Sequence, residues 1–384
     1  METQLKRAFD YPFRIFFLST SIWAMVVMML WVAVMSGALH YSFPLPALHW
    51  HQHEMLYGFV SPAIAGFLLT AVCVWTNTER LHGVRLLLLW LVWLMGRVVM
   101  LINPGVPEFV LVSINLVFLP LVLLDAGLRV WKVRQRRQYG LIVLVGLYWV
   151  TQIGFLLTDQ GYWSEAAIIT LLMIMAVIGG RITPAFSATW LSKQGLSAEG
   201  VRTYPRLDQL ALDSSLLLCA ALPVQNSLLT GALALVAGSS HLARIVAWRG
   251  WRVKAEPLLW ILHLSFLWIP AALLLLAAGK FDLAPVSTWV HAAGVGAIAS
   301  LILGIMARVS LGHTGRPLVL PAGLVVAFIL VQAAAILRVA TSAGQLEWRL
   351  GISITAACWV LAFAIYLGRY TAILLSPRVD GRPG

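Results

Sequence analysis

The sequence predicts an all-α protein, a polytopic transmembrane helical bundle of about twelve spans with both termini cytoplasmic. Three observations predict it. Of 384 residues, 60% are hydrophobic and 11% charged, whereas a soluble domain carries about 25% charged residues. The apolar residues gather into stretches of ~20, the length that crosses a hydrocarbon core. Lys and Arg concentrate in alternate loops, as the positive-inside rule requires. The 17 tryptophans suit interfacial aromatic belts.

The spans follow in order. The first runs from Phe13 to Leu39 and the second from near His53 to Trp75. The third, Val84 to Ile102, is closed by the turn signal Asn103-Pro104-Gly105. The fourth is Val106 to Leu128, the fifth Tyr139 to Leu157 and the sixth Ser164 to Gly180, before a polar loop from Arg181 to Arg206. The seventh, Leu207 to Pro223, is diluted by Asp208, Asp213, Ser214 and Ser215, and the eighth is Ser227 to Ala247. Prolines open the ninth (Pro257 to Ala278), tenth (Pro285 to Ala307) and eleventh (Pro317 to Val339), positions where the missing N–H costs nothing. The twelfth is Trp348 to Leu375. Residues 1–384 therefore read as one integral membrane domain. The charged N-terminus, with no small-residue cleavage site after the first apolar run, reads as leading into a retained helix rather than a signal peptide.

Charge supports the even number of spans. Basic residues cluster after the fourth span (Arg129, Lys132, Arg134, Arg136, Arg137), the sixth, the eighth and the tenth, and in the N-terminus and the tail; the odd-numbered loops are nearly free of them, Lys280 being the exception. The net charge of +12 thus reports cytoplasmic loops rather than a nucleic-acid partner. Cys73, Cys219 and Cys358 are isolated in apolar segments and no CxxC occurs, which excludes a disulfide framework or thiolate metal site. No GxGxxG-helix unit, P-loop, GxSxG or HExxH is present, so nucleotide chemistry and serine or zinc hydrolysis lose their usual supports.

The stretch that points to chemistry is His49-Trp50-His51-Gln52-His53-Glu54-Met55-Leu56-Tyr57-Gly58, at the mouth of the second span. On a helix, His49, His53 and Tyr57 share one face, and His51 points elsewhere. Imidazole binds Zn, Cu, Fe and Ni; the bland alternative is a polar interfacial cap. Glu54 could orient an imidazole or carry protons, or simply sit at a helix N-terminus. Tyr57 could donate to a bound ligand or belong to an aromatic belt. By topology His291 shares the outer boundary with His49, His51 and His53. His241, His263 and His313 lie toward the inner one, each either a ligand or a hydrogen-bonded structural histidine. Arg97 and Arg181 could each pair with a carboxylate such as a haem propionate, against the alternative of snorkelling to headgroups.

Further motifs give a resemblance. Trp50 to Phe59 followed by Ile64-Ala65-Gly66-Phe67-Leu68-Leu69-Thr70-Ala71 resembles the NnrS family. So do Ile178-Gly179-Gly180-Arg181-Ile182-Thr183-Pro184, Glu256 to His263, Arg308 to Leu318 and the ending Pro377 to Gly384. The resemblance covers the whole chain. It implies a polytopic protein of the bacterial inner membrane that contains haem, of b type, and copper, and that serves the response to nitric oxide and nitrosative stress. If such a protein is an enzyme, it is a nitric oxide-reducing oxidoreductase. It would draw electrons from quinol or a partner redox protein, with His49, His53 and His291 as metal ligands, Glu54 as proton carrier, and His241 and His263 at an inner cofactor. The other reading is a transporter or sensor of metal, haem or NO without turnover, for which Pro223 and Pro270 would mark broken helices. Which histidine group takes haem and which copper stays open. The chain departs from the pattern at Gly154-Phe155-Leu156-Leu157, where a histidine is expected near Phe155.

Overall fold

A computed structural model of the chain describes residues 6–102, 105, 107–158 and 160–381. Among them are twelve helices long and apolar enough to cross a membrane, and no strand. In chain order these are α1 (Pro12–Met35), α2 (Ala47–Thr76), α3 (Gly83–Leu101), α4 (Glu108–Lys132), α5 (Tyr139–Leu157) and α6 (Tyr162–Lys193). Then come α7 (Pro205–Val224), α8 (Ser227–Ala247), α9 (Pro257–Lys280), α10 (Ser287–His313), α11 (Leu324–Ser342) and α12 (Trp348–Leu374). The protein is a multi-pass membrane protein. Helices suit it because each satisfies its own backbone where no water can. The turn residues Asn103 and Pro104, the expected start of the fourth span at Val106, and the tail from Arg382 lie outside the described residues.

Most boundaries shift by a few residues, and three of the shifts have a clear physical reason or a bearing on the site. The sixth helix does not stop at Gly180 but continues to Lys193 through Pro184. Tertiary packing overrides the weak helix propensity of two glycines: Gly179 lies against the Phe266 ring and Gly180 against the Arg244 guanidinium, too close for any Cβ. The tenth extends to His313, and the eleventh begins at Leu324 because Gly323 takes a left-handed φ of +87°. Pro270 lies inside a continuous α9 and Pro223 in a short 3-10 turn ending α7, so neither makes a broken helix at mid-span.

The contacts divide the chain into two compact units. The first holds α1 to α5 together with Met306–Pro321 and the segment from Phe363 onward; the second holds Glu165–Ile305 and Ala322–Ala362. Within the first, α1 packs on α2, and α4 packs on α2, α3 and α5. Within the second, α8 packs on α7 and α9, and α9 and α11 both pack on α10. The most enclosed helices are α2, α6 and α10, with 72, 72 and 78% of their apolar windows buried. They are spaced by four in the chain, and two of them carry the same backbone irregularity.

Candidate functional site

Helix α2 begins at Ala47 and so already includes all three clustered histidines. After His53 the backbone widens into a π-helix over Glu54–Phe59. A π turn inserts an extra residue and breaks the regular carbonyl pattern; such turns recur at functional sites. The irregular carbonyls find side-chain donors. Trp93 Nε1 donates to Gly58 O at 3.1 Å, and the Tyr148 hydroxyl donates to Leu56 O. A Cβ on Gly58 would stand 2.5 Å from a Glu54 oxygen and 2.6 Å from both Arg97 Nη1 and Trp23 Nε1. Only glycine admits the cluster that gathers there.

That cluster is wholly buried. His53 and Glu54 are both 0% exposed. Glu54 receives Arg97 Nη1 at 2.5 Å on each oxygen, Trp23 Nε1 at 2.9 Å and His53 Nδ1 at 2.8 Å. Arg97 Nη2 continues to Asn115 Oδ1 at 2.7 Å, and Asn115 Nδ2 donates to Leu111 O at 2.9 Å. The carboxylate accepts, so the His53 proton sits on Nδ1 and the lone pair on Nε2. The Gln152 amide Nε2 meets that nitrogen at 3.3 Å. A cavity of about 10 Å³, room for the centre of one water, is lined by Tyr57, Ser61, Arg97, Asn115 and Gln152.

His49 lies one turn before His53, its ring 5.8 Å from that of Phe155. Phe155 also faces His53 at 6.1 Å and Tyr57 at 5.9 Å, so the phenyl ring stands among the side chains a further imidazole would join. Tyr57 donates to Thr151 Oγ1 at 3.1 Å and stacks on Tyr148. His51 turns to another side and stacks on Trp31 at 4.2 Å.

The remaining sequence candidates lie elsewhere. In the second unit, His241 Nε2 meets Ser215 Oγ at 3.2 Å and His263 Nε2 meets Ser187 Oγ at 2.9 Å. The Nδ1 atoms of both are buried without a hydrogen-bond partner among the described residues. His291 is half-buried and immediately precedes the second π-helix, Ala292–Ala299. Arg181 is exposed on α6. In the first unit, His313 packs on Phe13 and Tyr11, and its carbonyl accepts from Arg378 Nη1 at 2.7 Å. Among the described residues, no three His, Cys, Asp or Glu side chains converge to hold a metal ion.

The carboxylate beside Arg97 is Glu54, from the chain itself. Sequence reasoning did not single out Trp23, Asn115, Tyr148 or Gln152. Asn115 and Gln152 carried a usable signal, since a lone amide inside an apolar span needs a partner. Trp23 carried none, being one tryptophan among 17.

Twelve apolar helices among the described residues, and a buried histidine–carboxylate–arginine cluster within the first unit, define a polytopic membrane protein with a polar site. The family model described as NnrS protein matches residues 7–378. The chain belongs to the NnrS family. No curated protein matches it.

Proposed function

We propose that this protein is a haem protein of the bacterial inner membrane that binds nitric oxide in the defence against nitrosative stress, and that His53 would hold the haem iron. The observation that carries the reading is the state of His53. It is a buried imidazole whose Nδ1 proton is held by a carboxylate, itself held by Arg97 and Trp23. Metal-ligating histidines characteristically donate their second nitrogen to a carboxylate, which sets the tautomer and raises ligand basicity.

The donor set suits haem better than a copper site at this place. Haem iron would be held by one imidazole, and seating the macrocycle would require the cavity of about 10 Å³ to open. A copper site asks for several, and only His49 and His53 share this face, with Phe155 among them. When bound, the haem supplies iron with an open position for NO. The chain's own groups do the rest. Glu54 and Arg97 keep the His53 ring oriented, His53 Nε2, now beside the Gln152 amide, is the atom that would hold the iron, and the buried Trp23, Trp93 and Phe118 side chains exclude bulk water. Tyr57 and Glu54 are the groups that could hold a proton nearby. His241 and His263, whose Nδ1 atoms are unpartnered among the described residues, are the remaining candidates for an inner cofactor. Reduction of NO, beyond binding, requires electrons from quinol or a redox partner. The second reading is binding without turnover, as a sensor or transporter of metal, haem or NO.

The test is the optical spectrum of the purified, detergent-solubilised protein, oxidised, reduced, and reduced with NO, with iron and copper analysis. The reading expects a b-type spectrum that shifts with NO and is lost in His53→Ala. A His53→Ala variant with full haem content would overturn the ligand assignment. Iron and copper both absent from the intact protein would favour the transporter.

A further inference from the structure

The first unit carries a second built feature, far along α2 from His53. The α2–α3 turn (residues 77–82), the start of α3 and the last turns of α4 enclose a groove of about 810 Å³. Four cations line it (Arg80, Arg85, Arg129 and Lys132) together with two carboxylates, Glu79 and Asp125.

The carboxylates are already engaged by the wall. Arg129 pairs with Asp125 at 2.8 Å, and also donates to Thr78 Oγ1 at 3.1 Å and to the Glu79 carbonyl. His82 meets Glu79 at 3.0 Å. These bonds brace the turn against α4. Arg80 lies over the Tyr11 ring at 4.9 Å, with its Nε buried and unpartnered among the described residues. Arg85 and Lys132 are exposed and make no ion pair among the described residues. With four cations against two carboxylates, the groove is left with a surplus of positive charge. Its remaining lining is apolar and open: Val84 is 70% exposed, Leu128 49% and Val133 45%.

Free cations beside exposed aliphatic side chains at a span's end suit a molecule with an anionic head and a hydrocarbon tail. We propose that this groove seats an anionic phospholipid, its phosphate on Arg85, Lys132 and Arg80 and its acyl chains along Val84, Leu128 and Val133. A soluble anion would use the cations and leave the aliphatic wall bare; a zwitterionic lipid would bring a cation of its own against the surplus positive charge. The positive-inside rule assigns this face to the cytoplasm, where anionic lipids favour basic pockets between helices. This site is independent of the haem reading.

Native mass spectrometry of the whole protein in detergent would measure retention of phosphatidylglycerol against phosphatidylcholine with the same chains. Phosphatidylglycerol is expected to be retained more tightly. The double variant Arg85→Gln/Lys132→Gln should lose that preference by about thirtyfold, at about one kcal/mol per basic group. Lys132→Arg should keep it, and the pair Arg136→Gln/Arg137→Gln, outside the groove lining, should change it little. Circular dichroism would establish that the variants fold. Equal retention of the two lipids, or equal losses from the groove pair and the control pair, would overturn the site. Competition by glycerol phosphate as effective as that by the lipid would show a soluble anion site and overturn the lipid assignment.

Discussion

In α2 the six residues after His53 wind as a π-helix, and in α10 the eight residues after His291 do the same. Each π segment places a glycine five residues beyond its histidine, Gly58 and Gly296. Each glycine lies under a tryptophan from the preceding helix, Trp23 of α1 and Trp268 of α9, at a distance no Cβ tolerates. Each indole N–H donates at 2.9 Å to a side-chain oxygen, Glu54 in one case and Gln332 of α11 in the other. The backbone device is shared and the chemistry is not. The residue after His53 is a carboxylate answered by Arg97, whereas His291 is followed by Ala292 and Ala293, and the partner from α11 is neutral. A widened turn makes room beside a histidine. The next residue, and one polar group from the helix after, decide whether that room holds charge.

The largest effect expected from breaking this comparison is at Arg97. Arg97→Met leaves Glu54 buried without its counter-charge, and should cost about 3–5 kcal/mol, as broken buried pairs do. Gln332→Leu, the corresponding change in the second region, removes one neutral acceptor and should cost about 1 kcal/mol. Thermal unfolding of both variants in one detergent checks the ratio; equal losses would mean that the Glu54–Arg97 pair is not what sets the regions apart. Restoring most of the stability in Glu54→Leu/Arg97→Met would show that the loss came from the stranded carboxylate.

Next come the glycines. Gly58→Ala and Gly296→Ala should each cost about 1–3 kcal/mol through overpacking against a fixed indole. Only Gly58→Ala should also disturb the His53 cluster, so under the haem proposal only it should lower haem content; loss of haem in both would place the proposed cofactor differently. Phe155→His sharpens the comparison in the other direction. It would put a third imidazole near His49 and His53, and copper retained after dialysis should rise above that of the parent protein. Unchanged copper would mean that the His49 and Phe155 side chains do not face a common point.

The smallest effect lies outside both π segments. Glu347 precedes α12, and its oxygens accept from the N–H groups of Leu350 and Arg349 at 2.7 and 2.9 Å. Those bonds hold its carboxyl below the usual range. A depressed folded-state pKa stabilises fully above the unfolded value and is lost as pH falls through the folded one. Glu347→Ala should therefore lower the melting temperature slightly near neutral pH and not at all in strong acid. A difference that persisted in acid would mean the side chain acts through packing.

Much of the architecture was legible because hydropathy and loop charge are local. A run of ~20 apolar residues has few alternatives to a spanning helix, and two of the twelve helices, Tyr139–Leu157 and Ser227–Ala247, begin and end at the expected residues. His53, Glu54 and Arg97 also stood out, since ionisable groups in apolar spans are costly and demand partners. The misses have a common cause. Gly179-Gly180 reads as a stop, yet α6 passes through because Phe266 and Arg244 fill the space beside the glycines.

By itself, then, the sequence determined the number and nature of the spans, and which side chains could not be left alone in an apolar interior. That information resides in composition and period, which neighbours along the chain express. The tertiary structure decided the rest: that Arg97 answers Glu54 from 43 residues away, that Asn115 and Gln152 close the network, that two helices widen after their histidines, and that His51 turns aside. Each depends on which helix faces which. No stretch of twenty residues encodes its neighbour, and a buried charge finds its partner only when the helices pack.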